Sequence, residues 1–234
     1  MTKKKKNDTT DRKQLIARMI GSLGNGQNIQ TTFFDWITMM ALTISNCMDM
    51  FHGDLWSQRE EQYKGIAKKY TSEEMKVFSE AMAYLQEELE EAPQDILGEI
   101  YHKLDAQNKR TGQFFTPFHL SLAMAQLQDY RDDDVILNEP TCGAGGMVLA
   151  VANIMQQKGI NYLLRLKAVA QDIDWNCVYM TYVQLSLAGI NAVVIQGNTL
   201  TMESHAPAQV FYTPQHMFSF PHHLFKNDKE NEEV

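Results

Sequence analysis

Nine consecutive residues, Asn138-Glu-Pro-Thr-Cys-Gly-Ala-Gly-Gly146, constrain this chain more than any other segment. They follow the apolar run Val135-Ile-Leu137 and precede the helical pattern Met147 to Gln157. A strand that passes through a glycine-rich turn directly into a helix lets the backbone approach a ligand closely. It also leaves free N–H groups at the helix start to hold a polar or anionic group. A purely structural strand-to-helix turn looks similar, so the turn alone does not define a ligand.

The neighbouring segments supply the context. Leu166 to Ala170 reads as a second strand leading into Gln171-Asp-Ile-Asp174, Trp175 to Ala188 as a helix, and Ala192 to Ile195 as a third strand ending in Gly197-Asn-Thr-Leu200. Alternating strands and helices are the pattern of a parallel sheet with crossover helices. An acid at the end of the second strand can accept hydrogen bonds from the two hydroxyls of a ribose. With Gly112-Gln-Phe-Phe-Thr-Pro117 upstream, four polar sites fall along one sheet edge.

From Asp11 to about Asp105 the pattern is helical throughout. In residues 32–50, Phe33, Trp36, Ile37, Met40, Ala41 and Ile44 recur at helical intervals, with Thr31 or Thr32 as candidate N-cap. Ser57 to Glu60 opens a second helix in capping-box form, and Ser72 opens a third that runs towards Glu91 and stops at Ala92-Pro93. A short fourth helix over 94–106 leads to the polar stretch Gln107 to Gly112, the expected boundary. Met19, Met39, Met40 and Met48 read as core fillers.

Composition excludes several classes. With 44% hydrophobic and 21% charged residues in 234, the chain can bury a core, and it carries no repeat. No stretch approaches the ~18 apolar residues of a membrane span, and the basic start leads into no apolar signal region. Cys47, Cys142 and Cys177 form no CxxC pair, so the reading is a reduced, cytoplasmic protein without a disulfide framework. His205, His216, His222 and His223 match no metal spacing, and no metal is expected. Glu87, Glu88, Glu90 and Glu91 read as a solvated helix face. A net charge of −8 disfavours nonspecific DNA binding, which leaves Lys3 to Lys6 and Lys109-Arg110 as the local basic patches.

The set GQFFTP, EPTCGAGG, AQDID and GNTL, in this order and spacing, resembles the cofactor-binding half of the N6-adenine DNA methyltransferases, of the kind found as modification subunits of type I restriction systems. The lead-in DWITMMALTISN and DILGEIYHKLDAQNKR is similar to short plasmid- and phage-borne members, so the resemblance runs from about Phe33 to Leu200. It implies an α/β fold: a helical N-terminal region over 12–111, then a truncated Rossmann-like methyltransferase domain over 112–225 that binds S-adenosyl-L-methionine (AdoMet). Residues 1–11 and 226–234 are read as disordered ends.

Residue by residue, the resemblance implies that Phe115, Thr116 and Pro117 pack against the methionine end of AdoMet. The backbone around Thr141, Cys142, Gly143 and Gly145 cradles it, with Cys142 a small residue packed beneath rather than a nucleophile. Glu139 stands where the family has Asp and holds the amino group through water. Asp172 binds the ribose hydroxyls, Ile173 lies against the adenine, and Asn198 replaces an expected Asp at the adenine edge.

The family's Asn/Asp-Pro-Pro-Tyr/Phe tetrapeptide, which holds a flipped adenine, is absent. Its positional counterpart is Thr213-Pro214-Gln215-His216, behind a fourth strand Val210-Phe-Tyr212, with Tyr212, His216 or Phe218 as the stacking ring. Only 34 residues follow Leu200, whereas a complete sheet needs roughly 60 more at typical element sizes. The expectation is therefore an adenine-N6 DNA methyltransferase with a degenerate catalytic motif, its partners being DNA and a second copy or a partner subunit that completes the sheet. The alternative is an inactive AdoMet-binding module serving as regulator, decoy or partner subunit of a restriction-modification system.

Overall fold

The computed structural model describes residues 12–23, 28–105, 115–131, 133–201 and 205–219. The basic start, Lys109-Arg110, Gly112 to Phe114, His222, His223 and the polar tail lie outside these described residues.

Five helices come first: α1 (Arg12–Gly21), α2 (Ile29–Met48), α3 (Asp54–Ala67), α4 (Ser72–Glu91) and α5 (Ile96–Asp105). Phe33, Trp36, Ile37, Met40 and Ala41 of α2 are buried as their spacing requires, and the Trp36 indole donates to the Phe78 carbonyl at 3.0 Å. The N-cap of α2 is Asn28, not Thr31 or Thr32: its side chain accepts from the Gln30 N–H, which starts the helix a turn early. The next helix also starts early, at Asp54 after Gly53, so Ser57 sits inside its first turn. Thr71 and Glu74 close a reciprocal capping box on α4, which ends at Ala92 ahead of Pro93. Met48 is not a core filler; it stands at the end of α2 beside an open cavity.

The second half runs α6 (Phe118–Gln126), β1 (Val135–Glu139), α7 (Gly146–Gln157), α8 (Tyr162–Arg165), β2 (Leu166–Asp172), α9 (Trp175–Leu187), β3 (Asn191–Gln196), β4 (Val210–Tyr212) and α10 (Pro214–Ser219). The sheet order is β1-β2-β3-β4. β1, β2 and β3 are parallel, with Leu137 opposite Ala168 and Ala168 opposite Ala192. β4 departs from the expected series: it pairs antiparallel with β3, Phe211 opposite Val194, and leaves the far side of β1 without a strand among the described residues. Helices α6 and α8 carry no strong sequence signal and were not anticipated.

Helices α7 and α9 cover the sheet face towards which Leu166, Ala168 and Ala170 point. Every residue of α9 from Cys177 to Leu185 is buried, because the sheet lies on one side and α2 on the other. The N-terminal helices and the α/β part therefore share one hydrophobic core. The opposite face carries α10 and leaves Ile136 81% exposed, an open surface where a parallel sheet is ordinarily covered. No described helix is long and apolar enough to cross a membrane.

Candidate cofactor site

The carboxyl ends of β1 and β2 meet at the glycine turn. Gly143 and Gly145 have φ of +55° and +91°, the left-handed region that disfavours a side chain. A Cβ on Gly143 would stand 3.0 Å from the Phe115 ring, and one on Gly145 3.2 Å from the Thr181 hydroxyl, so the turn is closed on two sides. The Cys142 N–H donates to the Gln171 carbonyl at 2.8 Å, which ties the turn to the end of β2.

Asp172 fixes the same junction. One carboxylate oxygen accepts from the Gly143 N–H at 2.9 Å and the other from the Asp174 N–H at 3.0 Å. A carboxylate offers about four lone-pair directions, so it keeps acceptor capacity for ligand hydroxyls. Glu139 accepts from the Thr141 N–H at 3.2 Å. Thr199 donates to the Pro140 carbonyl at 2.6 Å, drawing the loop after β3 onto the turn.

These residues enclose a cleft of about 350 Å³, lined by Phe115, Thr116, Glu139, Thr141, Cys142, Gly143 and Asp172, with Asp95, Ser121 and Cys177 deeper in. Burial pushes the Cys142 thiol up to about 12, so it stays protonated and unreactive at neutral pH, although Thr181 bonding opposes the shift. Asp95, fully buried, is raised from the ordinary carboxylate value by desolvation; bonds from Gln184 and the Gly98 N–H oppose the rise.

Sequence reasoning missed Asp95 and Gln184. The Gln184 carbonyl accepts from the Ile96 and Leu97 N–H groups at 2.8 and 3.0 Å, and its amide donates to Asp95 at 2.9 Å and to the Ala144 carbonyl at 2.7 Å. One buried side chain thus joins the start of α5 to the glycine turn. The available signal was a lone amide in the apolar centre of α9.

Of the other anticipated residues, Ile173 is 65% exposed beyond the end of β2, and Asn198 is exposed with its side chain capping a turn at the Leu200 N–H. Pro117 is the N-cap of α6. The structure does not bring Tyr212 and Thr213 to His216 to the cleft. Antiparallel pairing sends β4 back along β3, so Thr213 lies fully buried at the amino end of that strand, bonded to the Ala192 N–H and the Ile190 carbonyl. Pro214, Gln215 and His216 form the start of α10; Gln215 donates to the Leu163 carbonyl, and the Tyr212 and His216 rings stack on each other at 5.2 Å. Among the described residues, no group of three or more metal-type ligands occurs.

Three parallel strands with a glycine turn after β1 and an acid at the end of β2 make the Rossmann-like arrangement. The chain belongs to the N-6 DNA methylase family, whose model matches residues 92–232. Among solved structures it is similar to a Listeria monocytogenes protein assigned to the class I S-adenosylmethionine-dependent methyltransferases, at 13% identity and a TM-score of 0.49, over 82% of this chain and 55% of that one. It is also similar to the methyltransferase subunit of a type I restriction-modification system from Streptococcus thermophilus, at 14% identity and a TM-score of 0.40, over 84% of this chain and 60% of that one. The chain therefore spans 55 to 60% of the length of these two structures. No curated protein matches it.

Proposed function

We propose that the chain binds AdoMet in this cleft and serves the transfer of its methyl group to adenine N6 in DNA. The observation that carries the cofactor reading is the sign of the cleft: the carboxylates of Glu139 and Asp172 line it, and no Lys, Arg or His does among the described residues. Such a cleft repels the phosphates of a dinucleotide and attracts a sulfonium and an ammonium. The turn's narrow backbone, closed by Phe115 and Thr181, suits the body of such a molecule.

In this reading Asp172 takes the ribose hydroxyls, Ile173 and Asn198 flank the adenine, and Phe115, Thr116 and Pro117 border the methionine end. Glu139 and the backbone from Thr141 to Gly145 hold it between them. The cofactor supplies an electrophilic methyl group, and the chain orients it. Attack by the adenine amino nitrogen is direct, without a covalent enzyme intermediate, and needs acceptors that hold that amino group in line.

The placement of Thr213 to His216 away from the cleft favours a second reading for the acceptor half. The edge of β1, which has no strand beside it among the described residues, and the open sheet face leave room for a partner subunit or a second copy to supply it. Without one, the chain is an AdoMet-holding module that acts as a regulator or decoy. DNA contact by the isolated chain is weak and salt-sensitive, given a net charge of −8.

The test incubates the purified protein and Asp172→Ala with AdoMet and unmethylated DNA, followed by nucleoside mass spectrometry. N6-methyladenine from the wild type alone supports the enzyme. AdoMet binding by calorimetry with no methyladenine supports the module. Failure to bind AdoMet refutes both.

A further inference from the structure

Arg59, on α3, is 9% exposed, yet among the described residues it makes no hydrogen bond or ion pair. Its guanidinium lies over the Phe211 ring, with the guanidinium carbon 5.4 Å from the centroid. Desolvation pulls its pKa down, opposed by Tyr182, Asp49 and Tyr179, none of which reaches hydrogen-bond or ion-pair distance. A buried cation without an oxyanion is among the least favourable arrangements in a folded chain, and stacking on a ring recovers only part of the loss.

Two cavities meet at this side chain and at Leu55. The larger, about 760 Å³, runs between the end of α2 and the β4–α10 segment, and the smaller, about 370 Å³, lies against Trp175, Tyr179 and Phe211. The walls of the larger are chiefly apolar: Met48, Met50, Phe51, Val210, Tyr212 and Met217. Its other polar lining groups are Ser45, already bonded to Tyr182, together with Asp49, His205 and the Tyr212 hydroxyl. The volume lies within the range of small-molecule sites, which are apolar chambers with a few placed polar groups.

We propose that this chamber is a second ligand site, distinct from the glycine-turn cleft, that takes an organic oxyanion whose apolar body fills the space beside Met48, Phe51 and Met217 while its charged end reaches Arg59. A carboxylate or phosphate matches the planar fork of a guanidinium in two parallel hydrogen bonds. Asp49 on the same wall disfavours a second negative charge, so a monocarboxylate fits better than a phosphate monoester. The site requires nothing of the AdoMet reading.

The experiment titrates the full chain by calorimetry with decanoate, with decan-1-ol as the uncharged match and with deoxyadenosine monophosphate as the phosphate source. Decanoate is expected to bind at least about tenfold more tightly than decanol, a difference that Arg59→Met abolishes and Arg59→Lys reduces. Met217→Trp, which narrows the chamber from α10 without touching Arg59, is expected to weaken decanoate as well. Arg59-dependent binding of the nucleotide in place of decanoate also supports the site and identifies phosphate as its source. Equal binding of acid and alcohol, unchanged affinity in a folded Arg59→Met, or no binding of either anion at about millimolar concentration overturns it.

Discussion

Gln184→Leu tests the junction between the helical half and the glycine turn. The amide makes four hydrogen bonds, to Ile96, Leu97, Asp95 and Ala144, and the side chain is fully buried. Leucine matches its size but satisfies none of these partners. Two N–H groups, one carbonyl and one carboxylate oxygen are left without that partner around a fully buried side chain. Each orphaned buried group costs about 1–3 kcal/mol. Asp95 keeps the Gly98 N–H, and the start of α5 can loosen, so the sum falls at the low end, about 3–5 kcal/mol. That is a large share of the roughly 5–15 kcal/mol that holds an ordinary domain together. In urea, with a slope of about 3 kcal/mol per molar, the midpoint falls by about 1 M or more at unchanged slope. The exposed Gln86, whose side chain bonds Glu90, serves as control, and its replacement by Leu stays within about 0.5 kcal/mol. A loss below about 1 kcal/mol for Gln184→Leu would show that the amide is not the connector described.

Two further predictions concern the turn and its surroundings. Gly145→Ala places a side chain at φ +91° and 3.2 Å from the Thr181 hydroxyl; it costs about 1–2 kcal/mol from the backbone alone and weakens AdoMet measurably in calorimetry. An unchanged melt and an unchanged affinity together would sink the argument for the positive φ. Cys142 titrates near 12 in the fold, Cys177 is raised as well, and an unfolded thiol titrates near about 8.5. Above that value the unfolded state releases protons that the native state keeps, so stability is full at lower pH and declines as pH rises from about 8.5 towards 12. Urea midpoints across pH 7 to about 10.5 should fall in wild type and fall less steeply in Cys142→Ala, where Cys177 still contributes; parallel curves would contradict the assignment.

The strands β1, β2 and β3 and their crossover helices were legible because each apolar run ends in residues that cannot continue it. The glycine turn announced its own geometry, since positive φ at Gly143 and Gly145 leaves little choice of residue. The direction of β4 was not legible. A three-residue strand has no intrinsic preference for an edge, and what seats it is the Thr213 hydroxyl between the Ala192 N–H and the Ile190 carbonyl, some twenty residues away. Asp95 and Gln184 were hidden for the same reason: their meaning comes from each other across 89 positions of sequence. The helix starts at Asn28 and Asp54 show the milder error, in which several residues can cap and the local backbone selects one.

The account rests on an acidic, phosphate-averse cleft at the glycine turn. Calorimetric titration of the wild-type chain with AdoMet, alongside NADH as a phosphate-bearing competitor of comparable adenosine content, tests it most directly. The account predicts one AdoMet site per chain, lost or at least about tenfold weaker in Asp172→Ala, and no detectable NADH binding. NADH binding in place of AdoMet, or AdoMet binding indifferent to Asp172→Ala, would contradict it.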